Sequence, residues 1–570
     1  MANNVYPELN DRALGWLKFL WDKATTPDDW SITGRPHEWW DDKSCPPTEP
    51  FARFDLNKST YALGLMADAT PAWREGYTRI LDGMIFRHTG YWAGIDWNTQ
   101  IGPDPDRANY SEEIKSWFIP PGLEGKYDTA GWTANGIEPW GLQPDPIGAA
   151  GNVFFRGFFL TMLSIYSKIS GNDKWEKPFP VHGYQNEAFN WSTHSIADYT
   201  SRQWASVPAG PHCENTKIWP YCVSHTGLAL QLYDKIFDRS THDVYHEWIG
   251  YVKKNYMGVA KSGALEWFAL FHDPLINFTQ RFPPTVALLA SWWMLPQSPE
   301  FAALLYEAAM IECGWNDPKR QIPPQAPDDP RLFMFGLMMA NELGDTGGAA
   351  LMRDYAENHF SPAFFGDEGD RFGWWFGLNE RYPRGQWSAM MMVTEVGERG
   401  SWSKLFNQPN LNKFNEPTVE GVDFPTLGIR QAWNDLEQGM LSIRTVGTPS
   451  RRGTATSFTV SRIPDPSVVV VRCDGDAFDH WDVIGDNEIR IRTTIDSHTF
   501  RIYTGYFSKT QGEEYARNAI RSNHKRAELA LAGKPVDIRP KVISRPSRNL
   551  VSLSTGCPCC QVRRKAGGTQ

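Results

Sequence analysis

Long apolar runs are missing from this chain of 570 residues. No stretch reaches about eighteen apolar residues without a polar interruption, so no membrane span is expected. Cysteine is scarce: eight residues, scattered at 45, 213, 222, 313 and 473 and then clustered at 557, 559 and 560. That usage excludes a disulfide scaffold. The beginning, MANNVYPELNDRALGW, has no basic region followed by an apolar one. No secretory signal is read there, and a reduced, cytoplasmic compartment is the expectation. Basic charge is in the minority, 57 residues against 66 acidic for a net charge of -9, and no long basic stripe runs through the main body. Nucleic acid is therefore not an expected partner. No strand leads into a glycine-rich loop, which argues against a nucleotide site. None of the 13 histidines falls in an H-E-x-x-H pair, and no dense His/Asp/Glu cluster stands out. No metal and no cofactor is expected.

Aromatic residues are abundant instead: 26 Trp, 20 Tyr and 31 Phe, 14% of the chain. So many rings exceed the needs of an ordinary core and suit the lining of a deep apolar or sugar-like cavity. About a dozen runs carry apolar residues at three- and four-residue spacing before residue 380, with no convincing strand among them. They include 1–24, Leu56 onward, Pro71 to Phe86, Asn152 to Ile169, Glu187 to Trp204, Val244 to Tyr256 and Gly263 to His272. Antiparallel helix pairs in such number stack as a solenoid or close into a toroid, and no repeat of solenoid length is visible. The expected fold is mainly α, an (α/α)6 barrel over 1–430. Short runs rich in Val, Ile, Thr and Tyr follow, read as a small antiparallel β module over 431–510. Residues 511–570 are read as a charged helix over Glu513 to Ser522 and a loosely ordered tail with the CPCC cluster.

The stretch PHCENTKIWPYCVSHTGLALQLYD carries the most chemistry. Cys213 and Glu214 fall on a loop, and Cys222 falls at or just inside a helix start, where unpaired N–H groups lower a thiol's pKa. Two cysteines with no matching second pair fit structural zinc poorly. Buried inert thiols are the bland alternative. His212 is placed to face a pocket, whereas His225 on the helix reads as a structural histidine. Tyr91 and Trp92 sit in a loop rich in rings and acids, and Trp374 and Trp375 in a stretch able to close a barrel mouth.

Taken together these residues resemble the linalool dehydratase/isomerase family. The resemblance rests on Cys213-Glu214 with Cys222 beyond, on Asp55 and Tyr61 at the start of the first helical hairpin, and on Asn152-Val153-Phe154-Phe155-Arg156-Gly157-Phe158. It implies an (α/α)6 barrel, an acid/base role for Asp55 beside Tyr61, and Cys213 and Cys222 as proton relay or polar anchor. Where the family pattern carries a methionine and a histidine, this chain has Phe154 and Phe158. Phenylalanine accepts no proton, so these two are expected to shape the pocket with Tyr91, Trp92, Glu214, His212, Trp374 and Trp375. The expected function is cofactor-independent dehydration, isomerisation or cyclisation of a small apolar, terpenoid-like or polyketide-like substrate. The family precedent also suggests a homo-oligomer. Two other readings stay open: a glycoside hydrolase or polysaccharide lyase using a pair among Asp55, Asp96 and Glu214, and a non-catalytic scaffold.

Overall fold

The computed structural model describes residues 6–34, 36–40, 52–94, 143–213, 217–274, 277–315 and 330–535. Helix α1 (Asp11–Thr25) begins at Asn10, whose side chain accepts the N–H of Ala13 at 2.8 Å. Then come α2 (Ala52–Ala69), α3 (Glu75–His88) and α4 (Val153–Ser170). Helix α5 (Thr193–Ala205) opens with a capping box between Ser192 and Ser195, and α6 (Pro220–Phe237) opens on a proline in its first turn. Helices α7 (Asp243–Asn255), α8 (Leu288–Met294), α9 (Pro299–Cys313), α10 (Arg331–Leu343), α11 (Thr346–His359), α12 (Gly385–Val396) and α13 (Ser401–Asn407) complete this part.

Packing divides these helices into two sets. Helix α2 packs on α4, α4 on α6, α6 on α8, α8 on α10, α10 on α12, and α12 back on α2. The alternate helices lie against this set: α1 on α12 and α2, α3 on α2 and α4, α5 on α4 and α6, α7 on α6, α9 on α8, α11 on α10. Burial separates α4 from α7, although α1 of the second set is also largely buried. Every residue of α4 from Val153 to Ile169 is buried, whereas α7 buries only Tyr245, Trp248 and Val252. Helix α4 lies close against α6, and Gly157 permits it. A Cβ at that position would stand 2.1 Å from Thr226 Oγ1.

Strands do occur ahead of residue 380, contrary to expectation. Strands β1 (Phe179–His182) and β2 (Ala188–Trp191) pair, as do β6 (Pro362–Phe365) and β7 (Arg371–Trp374). Strands β3 (Met257–Val259), β4 (Leu265–Asp273) and β5 (Phe278–Phe282) form a three-stranded sheet. The run Gly263 to His272 is thus mostly strand, not helix. A register shift between Ala269 and Phe271 breaks its alternation and hides the period of two. The first part of Glu187 to Trp204 is β2 for a related reason: four residues are too few to display a period. Helix α3 starts at Glu75, not Pro71, because Trp73 is drawn into a bridge with Val419.

The β-rich part begins at Thr418, ahead of the expected 431. Strands β8 (Thr418–Glu420), β11 (Ala455–Ser461), β14 (Trp481–Gly485) and β15 (Glu488–Thr494) make one sheet in the order β14-β15-β11-β8. Strands β9 (Leu427–Asp435), β10 (Met440–Gly447), β12 (Val470–Cys473), β13 (Asp476–Ala477) and β16 (Thr499–Tyr503) make the other, in the order β13-β12-β16-β10-β9. Phe458 of β11 meets Phe500 of β16 at 5.4 Å, joining the sheets through their inner faces. The module is hydrogen-bonded to the helices: Val419 N–H to Ala72 O at 2.8 Å, Ala72 N–H to Ala432 O at 3.2 Å, Leu9 N–H to Arg430 O at 2.9 Å. Helix α14 (Lys509–Leu531) is longer than expected and returns to the helical part. Its Arg526 grips the buried Glu176 through two bonds of 2.8 Å, and Asn523 donates to Ile236 O at 2.9 Å. The CPCC cluster lies outside the described residues.

Candidate active site

The first turns of α2, α4, α6 and α12 lie together. Asp55 belongs to the opening turn of α2, Phe154 to that of α4, Tyr221 and Cys222 to that of α6. Gly385 is the first residue of α12, and its missing side chain admits Asp55: a Cβ there would stand 2.1 Å from Asp55 Oδ2.

Asp55 is fully buried inside the helix. Lys23 of α1 donates to its Oδ2 at 2.6 Å, and Ser59 donates to its Oδ1 at 3.2 Å. Both carboxylate oxygens therefore accept hydrogen bonds. Tyr61 lies on another face of α2, since six residues of a helix turn through about 600°. Its hydroxyl donates to Asn57 Oδ1 and lies 2.8 Å from Nε2 of His225. Asp55 and Tyr61 thus serve different neighbourhoods.

The neighbourhood of Tyr61 is built around a residue that periodicity does not single out. Lys58, 1% exposed, points its ammonium nitrogen between α2, α4, α6 and α8. Five rings surround it, with centroids at 4.3 Å (Phe158), 4.8 Å (Trp293), 5.1 Å (Tyr221), 5.5 Å (Tyr61) and 5.7 Å (Phe54). It donates to the Tyr221 hydroxyl at 2.6 Å, and among the described residues no carboxylate pairs with it. Burial drives the Lys58 amine well below the usual lysine range; Cys222 opposes that shift and Arg53 adds to it. His225 is pushed well below the usual imidazole range, first by burial and then by Lys58. Its Nε2 also lies 3.4 Å from the Thr161 hydroxyl, while its ring meets Phe158 at 4.3 Å and Trp293 at 4.6 Å. The Tyr61 phenol is pushed well above its usual value by burial and by Tyr221, with Asn57 opposing.

The site residues expected from the sequence distribute as follows. Tyr61, Cys222 and Phe158 belong to the Lys58 cluster. Phe154 borders it, 6.3 Å from Phe158 and 4.1 Å beneath the Arg53 guanidinium. Cys213 is fully buried on the loop before α6, where its N–H donates to Lys217 O at 2.8 Å. The carbonyl of His212 accepts the N–H of Val153 at 3.1 Å. Tyr91 and Trp92 stack edge to face at 5.5 Å, and the Trp92 indole donates to Gly34 O. Trp374 is enclosed beside α1 and α12, under the Arg12 guanidinium at 5.6 Å and bonded to Ser388. Trp375 leans on Phe365 and donates to Glu380 O at 3.0 Å. Glu214 and Asp96 lie outside the described residues. Lys58, Tyr221, Asn57, Phe54 and Trp293 were not anticipated, and His225 was read as structural. The available signal was the polar run Asn57-Lys58-Ser59-Thr60 in the middle of a helix otherwise bound for the interior.

A possible metal-donor set lies elsewhere, on the β module. Ligand atoms of Cys473, Asp474 and His498 fall within 4.8 Å of one another. His498 Nδ1 is 2.9 Å from Asp474 Oδ2, and burial with Asp474 raises the Cys473 thiol to about 12, which disfavours the thiolate a metal needs.

No curated protein matches this chain. Among solved structures it is similar to a GH127 β-L-arabinofuranosidase from Geobacillus stearothermophilus T6, at 9% identity over 88% of this chain and 81% of that one. The TM-score of 0.20 is too low for that likeness to bear on fold or function. Residues 131–372 match the family model described as Ldi: Linalool dehydratase/isomerase, a stretch that holds α4 to α11 but leaves out α1, α2 and α3. Phe158, Cys213 and Cys222 fall within the residues that match this family model.

Proposed function

We infer that the protein is a cofactor-independent acid–base lyase/isomerase acting on a small apolar, terpenoid-like substrate. The observation that carries this reading is the enclosure of proton-carrying groups by rings where α2 meets the family-matched helices α4, α6 and α8. Tyr221 and His225 of α6 meet Lys58 and Tyr61 of α2 inside a cage of Phe54, Phe158 and Trp293, with Cys222 next to Tyr221 in the first turn of α6. Such a surround suits an allylic cation, which ring faces stabilise and which water would quench. The two packed helix sets are read as an (α/α)6 barrel, with α2, α4, α6, α8, α10 and α12 inside and the substrate entering at their first turns. The β module and α14 are read as additions to that barrel.

Within this reading Asp55 acts as a fixed acceptor beside the cavity, since to donate it would have to release Lys23 or Ser59. Cys222, in the first turn of α6, supplies a thiol at a helix N-terminus. A sugar-hydrolysing reading needs a second carboxylate facing Asp55, and no observation favours it.

The test is incubation of the purified protein with linalool and other tertiary allylic alcohols in heavy water, followed by gas chromatography and mass spectrometry. Loss of water, or deuterium incorporation, that disappears in D55N and C222S is the expected result. Unaltered substrate throughout, with the protein folded by circular dichroism, overturns the reading.

A further inference from the structure

Lys58 and Tyr221 differ in their access to solvent. Lys58 is sealed, whereas Tyr221 is partly exposed in the first turn of α6. Tyr221 therefore stands on the solvent side of the Lys58 amine. A contact of 2.6 Å between Tyr221 Oη and Lys58 Nζ accommodates two proton arrangements: an ammonium donating to the phenol oxygen, or a phenol donating to a neutral amine. The surroundings set the balance between them. The titratable and charged groups that act on Lys58 are Arg53 and Tyr61 on its own helix and Tyr221, Cys222 and His225 on α6; α4 and α8 present Phe158 and Trp293. With no paired carboxylate to hold a positive charge in place, the neutral form is favoured until a proton arrives. The five ring faces then receive the ammonium at 4.3–5.7 Å.

We propose that Tyr221 is the catalytic base of this site and Lys58 its proton sink. The inference rests on the lyase/isomerase reading. Once the leaving hydroxyl has taken a proton from solvent, the C–O bond breaks with its electron pair on oxygen, water leaves, and the substrate is a cation. The C–H bond beside the electron-poor carbon then breaks, and its electron pair becomes the second bond of an alkene. The proton goes to Tyr221 Oη as the hydroxyl proton of Tyr221 passes to Lys58 Nζ. Positive charge moves from substrate to Lys58, and nothing else is consumed. Release of the proton from Lys58 to solvent through the partly exposed Tyr221 resets the pair and replaces the proton taken by the leaving hydroxyl. Tyr221 touches the substrate; Lys58 acts through Tyr221 and is a positioning residue.

The experiment has one arm that needs no substrate. Protein labelled with 13C at lysine Cε is titrated by heteronuclear NMR, with K58M to assign the signal. One signal with neutral-amine character while other lysines are still protonated, absent in K58M and displaced in Y221F, is expected. A Lys58 signal that titrates with the rest at about 10.4 overturns the proposal. The second arm measures turnover of linalool. Y221F and K58M are expected to lose about 100-fold or more in kcat. K58R, which keeps the charge but accepts no proton, is as slow as K58M, and added ethylamine partly restores K58A with a pH dependence that follows the amine. Wild-type rates and an unchanged pH profile in K58M and K58R overturn the proposal. A neutral, Tyr221-linked Lys58 in a protein that converts no alcohol supports the proton pair and removes the lyase/isomerase reading, so the two failures are distinguishable.

Discussion

Lys23 Nζ lies 2.6 Å from Asp55 Oδ2, and neither side chain is exposed. Helix α1 is thereby tied to the first turn of α2. Removing one partner leaves the other charge buried alone, which costs about 3–5 kcal/mol, while replacing both with apolar residues recovers most of that. K23M and D55L are expected to unfold at much lower urea than wild type, and K23M/D55L close to it. Urea titrations of the four proteins check this. Equal effects in singles and double would mean the pair is not a coupled unit.

Lys58 is the opposite case, a buried amine with no carboxylate paired to it among the described residues. Its folded-state pKa lies below the unfolded value near 10.5, so between the two the unfolded chain binds the extra proton. Stability supplied by the neutral form is present above the unfolded value and is lost as pH falls. K58M is therefore expected to be more stable than wild type at pH 7, and its advantage to shrink toward pH 10.5 at up to about 1.4 kcal/mol per pH unit. Denaturant unfolding at several pH values measures it. A constant difference across that range would contradict the burial argument.

His88, the last residue of α3, stacks on Phe159 at 4.6 Å and leans on Phe155 at 4.5 Å. Neither ring nitrogen has a hydrogen-bond partner among the described residues. Burial, with Arg53 adding to it, lowers this imidazole from 6.5 to about 3. The unfolded chain takes up a proton below pH 6.5 that the folded chain refuses until about pH 3, so stability falls as pH falls through that window. Each pH unit there costs about 1.4 kcal/mol. H88F is expected to lose this slope, and thermal melts between pH 4 and 7 read the difference directly.

Glu176 and Arg526 join the segment between α4 and α5 to α14 through two bonds of 2.8 Å, with His194 a third neighbour at 3.3 Å. R526A strands a buried carboxylate, at a cost of about 3–5 kcal/mol. R526A/E176Q should restore most of the loss, since a neutral amide tolerates that site better. Limited proteolysis in the segment before α14, with melting curves, distinguishes a detached helix from a globally weakened protein.

The sequence made the helical character legible because runs of eleven to eighteen residues display the helix period several times over, as α4 and α6 do. Hairpins such as β1–β2 stayed hidden because four residues cannot display a period, and β4 because a bulge interrupts its own. At the site, motif spacing pointed to Tyr61, Cys222 and Phe158, three residues that do gather in space. It did not point to Lys58, because a lysine in a helix reads as a solvated face unless the partners of that helix are known. His225 was read as structural for the same reason: only the fold reveals that it lies 2.8 Å from the Tyr61 hydroxyl.

The seam between α2 and α12 has a consequence for how the chain is made. Asp55 waits for Gly385, and α1 waits for β7, before their faces are covered. A nascent chain carrying α1 to α10 therefore leaves the ribosome with the apolar flanks of its first helices bare. Contacts so distant along the chain form slowly, and surface left uncovered meanwhile invites aggregation. Recombinant yield should accordingly respond more to slower synthesis and to chaperone supply than to substitutions that merely raise the melting temperature.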